Sequence, residues 1–137
     1  VIMQPQPRRL PAARKAALVV TDLGLLAYWA LTALGVISVG EGAWLKAWNW
    51  SFFPLDALAI AAGLVWSLLP RGHRWSVPAY VTALALTHAA GLMALSFFAL
   101  WGSWDASWWA VNLWLALLPV ALALASGLVA CRTPNWA

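Results

Sequence analysis

The chain has 137 residues, enough for one compact unit, of which 64% are hydrophobic and only 9% charged. That balance lies outside the range of soluble domains and points to an integral membrane protein. The net charge of +4 does not point to nucleic acid, because the basic residues gather in the amino-terminal tail and one short loop, where anionic lipid headgroups are the natural counter-charge.

Residues 1–15 hold Pro5, Pro7 and Pro11 with Arg8, Arg9, Arg14 and Lys15, and read as a basic tail. The apolar stretch 16–39 is long enough to cross a hydrocarbon core of roughly 30 Å at about 1.5 Å per residue. It exceeds a signal peptide's apolar region and reads as an uncleaved first span. Residues 40–49, with Glu41, Trp44, Lys46 and Trp48, read as an interfacial loop. The second span is expected over 50–69, stopped by Pro70, and the basic turn Arg71-Gly72-His73-Arg74 leads to a third over 77–101. A second aromatic loop with Trp104 and Asp105 precedes the fourth span, 108–131, and residues 132–137 form a short tail. Pro119 is expected to kink that last span.

Loops this short join only neighbouring antiparallel helices, so the predicted fold is all-α: an integral membrane four-helix up-down-up-down bundle. Arg8, Arg9, Arg14, Lys15, Arg71, Arg74 and Arg132 fall on one side and Lys46 alone on the other, which makes the termini cytoplasmic. Trp44, Trp48, Trp50, Trp101, Trp104, Trp108 and Trp109 gather at the opposite face, more than anchoring requires. The single cysteine, Cys131, excludes an internal disulfide and a CxxC redox pair.

The informative residues are polar ones inside the spans. Asp56 follows the run Trp48-Asn49-Trp50-Ser51-Phe52-Phe53-Pro54-Leu55 and lies inside hydrocarbon. An acid there costs about 2.5–3.5 kcal/mol on insertion scales, more than an interhelical hydrogen bond of about 0.6–2 kcal/mol returns. It is read either as a proton donor or as a structural acid bonded to Asn112 or a tryptophan ring nitrogen. Asp22, counted from the start of the first span, sits near the cytoplasmic boundary and is expected in a structural ion pair with Arg71, Arg74 or the tail. The same count separates the two acids by most of the bilayer core and excludes a carboxylate dyad. His88 has no partner ligands at metal spacing, so no metal and no cofactor are expected, and a bond to Tyr28 or Thr32 suits it. Tyr28 and Trp29, in mid-span, are either packing or pocket wall.

These residues resemble a known family, the small YvaD-like bacterial membrane proteins of unknown function. The resemblance rests on Thr21-Asp22-Leu23-Gly24 with Tyr28-Trp29 and on the run Trp48 to Asp56, supported by His88-Ala89-Ala90-Gly91-Leu92, Trp109, Asn112-Leu113 and Pro119. It covers nearly all the chain after the tail and implies a four-helix protein of a bacterial inner membrane, with no activity or cofactor to transfer. From the residues themselves, the leading expectation is a pocket in the outer half of the bundle for an apolar or amphipathic ligand, such as a lipid or isoprenoid. Asp56, Asn112, His88, Tyr28, Trp29, Trp50 and Trp114 would line it. Two alternatives stand beside it: an accessory subunit of a larger membrane complex or oligomer, and an isoprenoid isomerase or cyclase with Asp56 as the catalytic proton donor.

Overall fold

The computed structural model describes residues 9–132, with side chains between 12 and 127. Arg8 with most of the amino-terminal tail, residues 133–137 and the side chain of Cys131 lie outside that description. Five helices follow in order: α1 (Arg9–Ala33), α2 (Ala43–Trp50), α3 (Phe53–Leu68), α4 (Ser76–Trp101) and α5 (Ala106–Arg132), with no strand among the described residues.

Local chemistry sets the ends. Pro11 falls in the first turn of α1, where an amide hydrogen has no intrahelical partner anyway, so the helix begins inside the stretch expected to be tail. It also stops earlier than its apolar run suggests. Gly35 adopts φ +73°, its amide donates to the Thr32 carbonyl at 3.0 Å, and the Val36 amide donates to Leu31 at 2.9 Å. This is a Schellman stop, and it overrides the hydrophobicity of Leu34, Val36 and Ile37. Gly102, at φ +75°, closes α4 in the same manner, with the Ser103 amide donating to Phe98 at 2.9 Å. Asp105 then caps α5: its Oδ1 accepts from the Ser107 hydroxyl and from the amides of Ser107 (3.0 Å) and Trp108 (3.1 Å). The Ser107 hydroxyl, more than the backbone amides, holds that exposed carboxyl below its ordinary pKa.

The expected loop at 40–49 is a correction: Ala43–Trp50 is helical and leads almost directly into α3. Pro54 cannot donate to the Trp50 carbonyl, and its ring crowds that carbonyl, so the chain breaks for two residues at Ser51-Phe52 before resuming. Together α2 and α3 form one of the four segments that, among the described residues, are long and apolar enough to cross a membrane: Ala12–Ala33, Ala43–Leu68, Ser76–Trp101 and Ala106–Gly127.

Helix α1 packs on α3, α3 on α4, and α4 on α5. Leu18 packs with Ala83, Leu84 and Leu122 beside Trp66 and Tyr80; Leu25, Ile60 and Leu115 form a middle layer; Trp29, Phe52, Ala90, Ala94 and Phe98 form a third. Gly91 lets α4 and α5 touch backbone to backbone, since a Cβ there would lie 2.5 Å from the Ala116 nitrogen. By contrast α1 and α5 are bridged by side chains: the Trp114 Nε1 donates to Thr21 Oγ1 at 2.9 Å, and Arg14 Nη1 donates to Ser126 Oγ at 2.8 Å. The ring of helices is therefore tight on three sides and loose along the α1/α5 seam.

The distribution of polarity is inverted relative to a water-soluble protein. Leucines, valines and tryptophans cover the outside, while Thr21, Asp22, Asn49, Asp56, Thr87 and Asn112 are buried. A lipid-facing exterior with polar side chains turned inward is what hydrocarbon solvent selects, and the chain is an all-helical, multi-pass membrane protein.

Candidate functional site

The loose seam opens into a cavity of ≈ 330 Å³. Val20, Thr21, Gly24, Leu25, Tyr28 and Trp29 of α1 line one side of it, and Trp108, Val111, Asn112, Trp114 and Leu115 of α5 the other. These fall three or four residues apart, so each helix turns one stripe toward the space. Asp56, Ala90, Ala94 and Phe98 supply further wall from α3 and α4, while Trp48, Asn49 and Phe52 come from α2 and the break after it. Val20, Val111 and Trp114 belong to the wall and yet are 64%, 55% and 51% exposed, which marks the α1/α5 seam as the mouth, facing the bilayer. Gly24 stands in that mouth with nothing within 4 Å of where a Cβ would be.

Asp56 is buried in the wall, one turn below Phe52. Trp29 Nε1 donates to its Oδ2 at 2.9 Å, and its Oδ1 has no protein partner. Of the two structural partners the sequence allowed, the indole is the one present. Asn112 lines the same cavity without bonding Asp56; its Nδ2 donates to the Trp108 carbonyl at 2.9 Å, within its own helix. Tyr28 and Trp29 are both wall and packing, and the Tyr28 hydroxyl donates to Asn49 Oδ1 at 2.7 Å, tying α1 to α2.

Two residues expected in the pocket lie elsewhere. His88 is on another face of α4, its Nδ1 2.7 Å from the Ala116 carbonyl, and it touches neither Tyr28 nor Thr32 by a hydrogen bond. Pro119, whose missing amide hydrogen leaves the Leu115 carbonyl without its intrahelical partner, lies close to that contact in α5. Trp50 packs behind Trp29, ring centroids 5.3 Å apart, on a smaller polar recess with Thr32, Ser38 and Lys46.

Asp22 also departs from expectation. It is fully buried, and among the described residues it forms no ion pair and neither carboxyl oxygen has a hydrogen-bond partner. The carboxyl rests on Gly63 of α3. Asp22 stands in mid-helix, at the level of Gly63, and among the described residues no loop arginine pairs with it. It lies opposite Gly63 as Trp29 lies opposite Asp56, so the two acids are two turns, roughly 10 Å, apart in depth. They are nearer than most of a bilayer core, and still too far for a dyad. Among the described residues no three His, Cys, Asp or Glu side chains converge as metal ligands.

Trp48, Asn49, Phe52, Phe98 and Trp108 are wall residues missing from the expected set. Asn49, Phe52 and Asp56 were recoverable as one helical face, had the segment before Pro54 been read as helix.

The fold and cavity define a class: a small, tryptophan-rich, multi-pass membrane protein with an acid-containing chamber open to the side. Residues 14–132 match the family described as "Family of unknown function (DUF5360)", and the chain belongs to that family. It is 36% identical over 114 residues to the "Uncharacterized protein YvaD" of Bacillus subtilis (strain 168), covering 77% of this chain and 85% of that relative. No solved structure matches.

Proposed function

We propose that the chain binds an apolar or amphipathic molecule of the bilayer in the cavity, admitting it sideways between α1 and α5. One observation carries this reading: the wall residues Val20, Gly24, Val111 and Trp114 are open to the lipid side, while Asp56 and Asn112 are buried farther in. A mouth in that position draws on lipid, and a ≈ 330 Å³ chamber holds a headgroup or ring system while leaving a longer tail outside. The termini and the Arg71 turn lie in the cytoplasm of a bacterial inner membrane on this reading, supported by the uneven spread of Lys and Arg.

Gly24→Leu is the test. Nothing lies within 4 Å of the Cβ position, which opens on the exposed mouth, and exchanging glycine for leucine inside a helix favours folding by roughly 0.5–1 kcal/mol. The variant should melt no lower than the parent. Mass spectrometry of lipids carried through purification should show a species enriched with the parent protein and depleted at least several-fold with Gly24→Leu. Identical lipid profiles from the two proteins would end the proposal.

A further inference from the structure

We propose that the ligand of this cavity is cationic, a lipophilic amine or quaternary ammonium, with Asp56 as its counter-ion and a belt of six aromatic rings as its cage. The inference rests on the reading of the cavity as a ligand site and specifies the chemistry that site recognises.

The rings form a chain along the wall. Trp29 meets Tyr28 at 5.1 Å, Tyr28 meets Trp108 at 6.0 Å, and Trp108 meets Phe98 at 6.4 Å. Phe98 in turn meets Trp48 at 6.0 Å, and Trp48 meets Phe52 at 4.8 Å. All six line the cavity, and they are contributed by α1, α2, the α2–α3 break, α4 and α5, so the belt runs around the chamber and is not a stack on one helix. Aromatic faces carry the negative lobe of the ring quadrupole, and several of them about one space attract a poorly hydrated cation.

Charge supplies the second argument. Among the described residues Asp56 is the only acid on the wall, and no lysine, arginine or histidine joins it there. The Trp29 indole holds Oδ2 and fixes the plane of the carboxyl, while Oδ1 is left without a partner. A buried carboxylate without a counter-charge is unfavourable in hydrocarbon, and an incoming ammonium group removes that penalty where a neutral guest does not. An anionic headgroup would meet both the acid and the ring faces with repulsion. The mouth on the bilayer suits a guest that is apolar apart from its charge.

The deciding measurement compares two probes of one shape, benzyltrimethylammonium and neopentylbenzene, in which carbon replaces the nitrogen. Equilibrium binding to the full chain in a neutral maltoside detergent is corrected with empty micelles. The parent protein should bind the cation at least about tenfold more tightly than the isostere. Asp56→Asn should lose most of that preference, keeping only the part the rings supply, while still binding neopentylbenzene, and Asp56→Glu should keep it in full. Should Asp56→Asn fail to fold, the comparison of the two probes on the parent protein decides alone. Equal or tighter binding of the neutral probe would overturn the cation assignment and leave the cavity reading standing. A preference undiminished in Asp56→Asn would also overturn it, because the acid would not be the counter-ion. Absence of saturable binding by both probes would overturn both readings.

Discussion

Gly91→Ala should lower the stability of the bundle by about 1–3 kcal/mol, the usual penalty for an extra carbon forced into a closed interface. The added Cβ would lie 2.5 Å from the Ala116 nitrogen, 2.7 Å from the Asn112 carbonyl oxygen and 2.9 Å from the Leu115 carbonyl carbon. All three are backbone atoms of α5, so no side-chain rotation relieves the overlap and the two helices must separate. Asn112 and Leu115 also line the cavity, as does Ala90 beside the substitution, so separation should alter ligand binding together with stability. Thermal or denaturant unfolding in detergent reads the first effect. Gly127→Ala is the control: nothing lies within 4 Å of its Cβ position, and it should be neutral or slightly stabilising. Equal behaviour of the two variants would mean that α4 and α5 are not in backbone contact at Gly91.

The membrane class and the four apolar segments were legible because hydrocarbon imposes a length and a composition that nothing else in the chain imitates. Depth was less legible. Counting from the apparent start of an apolar run placed Asp22 near a boundary, whereas its contact with Gly63 of α3 brings it within two turns of the depth of Asp56. An apolar run records where the lipid is; the helix ends are set by Gly35 and the other terminal residues. The same distinction explains the missed α2: Trp44, Lys46 and Trp48 have the composition of an interface, and an interface accommodates helix as readily as loop. At the site, Asp56, Asn112, Tyr28, Trp29 and Trp114 were visible as polar or amphipathic residues within spans, where each demands an explanation. His88 met the same criterion and found its partner in a carbonyl near Pro119, a pairing between helices that no spacing within one helix reveals. Ala90, Ala94 and Phe98 were invisible for the opposite reason, since apolar residues in an apolar helix carry no mark of which way they face.

Asp22 and Gly63 provide the sharpest test of the α1–α3 contact, because the two positions should correct one another. Gly63→Ala alone would drive a Cβ into the Asp22 carboxyl, overlapping Oδ2 and lying 2.8 Å from its Cγ, and Asp22 is fully buried with a side chain too short to swing clear. A loss of about 1–3 kcal/mol is expected. Asp22→Ala alone removes an acid with no hydrogen-bond or ionic partner among the described residues, whose burial costs about 2.5–3.5 kcal/mol on insertion scales, and leaves in exchange a cavity of carboxyl size. The single variant should therefore be at least as stable as the parent. In the double variant the alanine at 63 enters the space the carboxyl has left, so Gly63→Ala should become neutral or favourable in that background. The resulting coupling of about 1–3 kcal/mol is within the range for residues in direct contact. Strict additivity across the cycle would show that the carboxyl does not rest on Gly63. A large loss from Asp22→Ala alone would show instead that the acid has a partner in the membrane, and the next substitutions would belong at the residues within its reach.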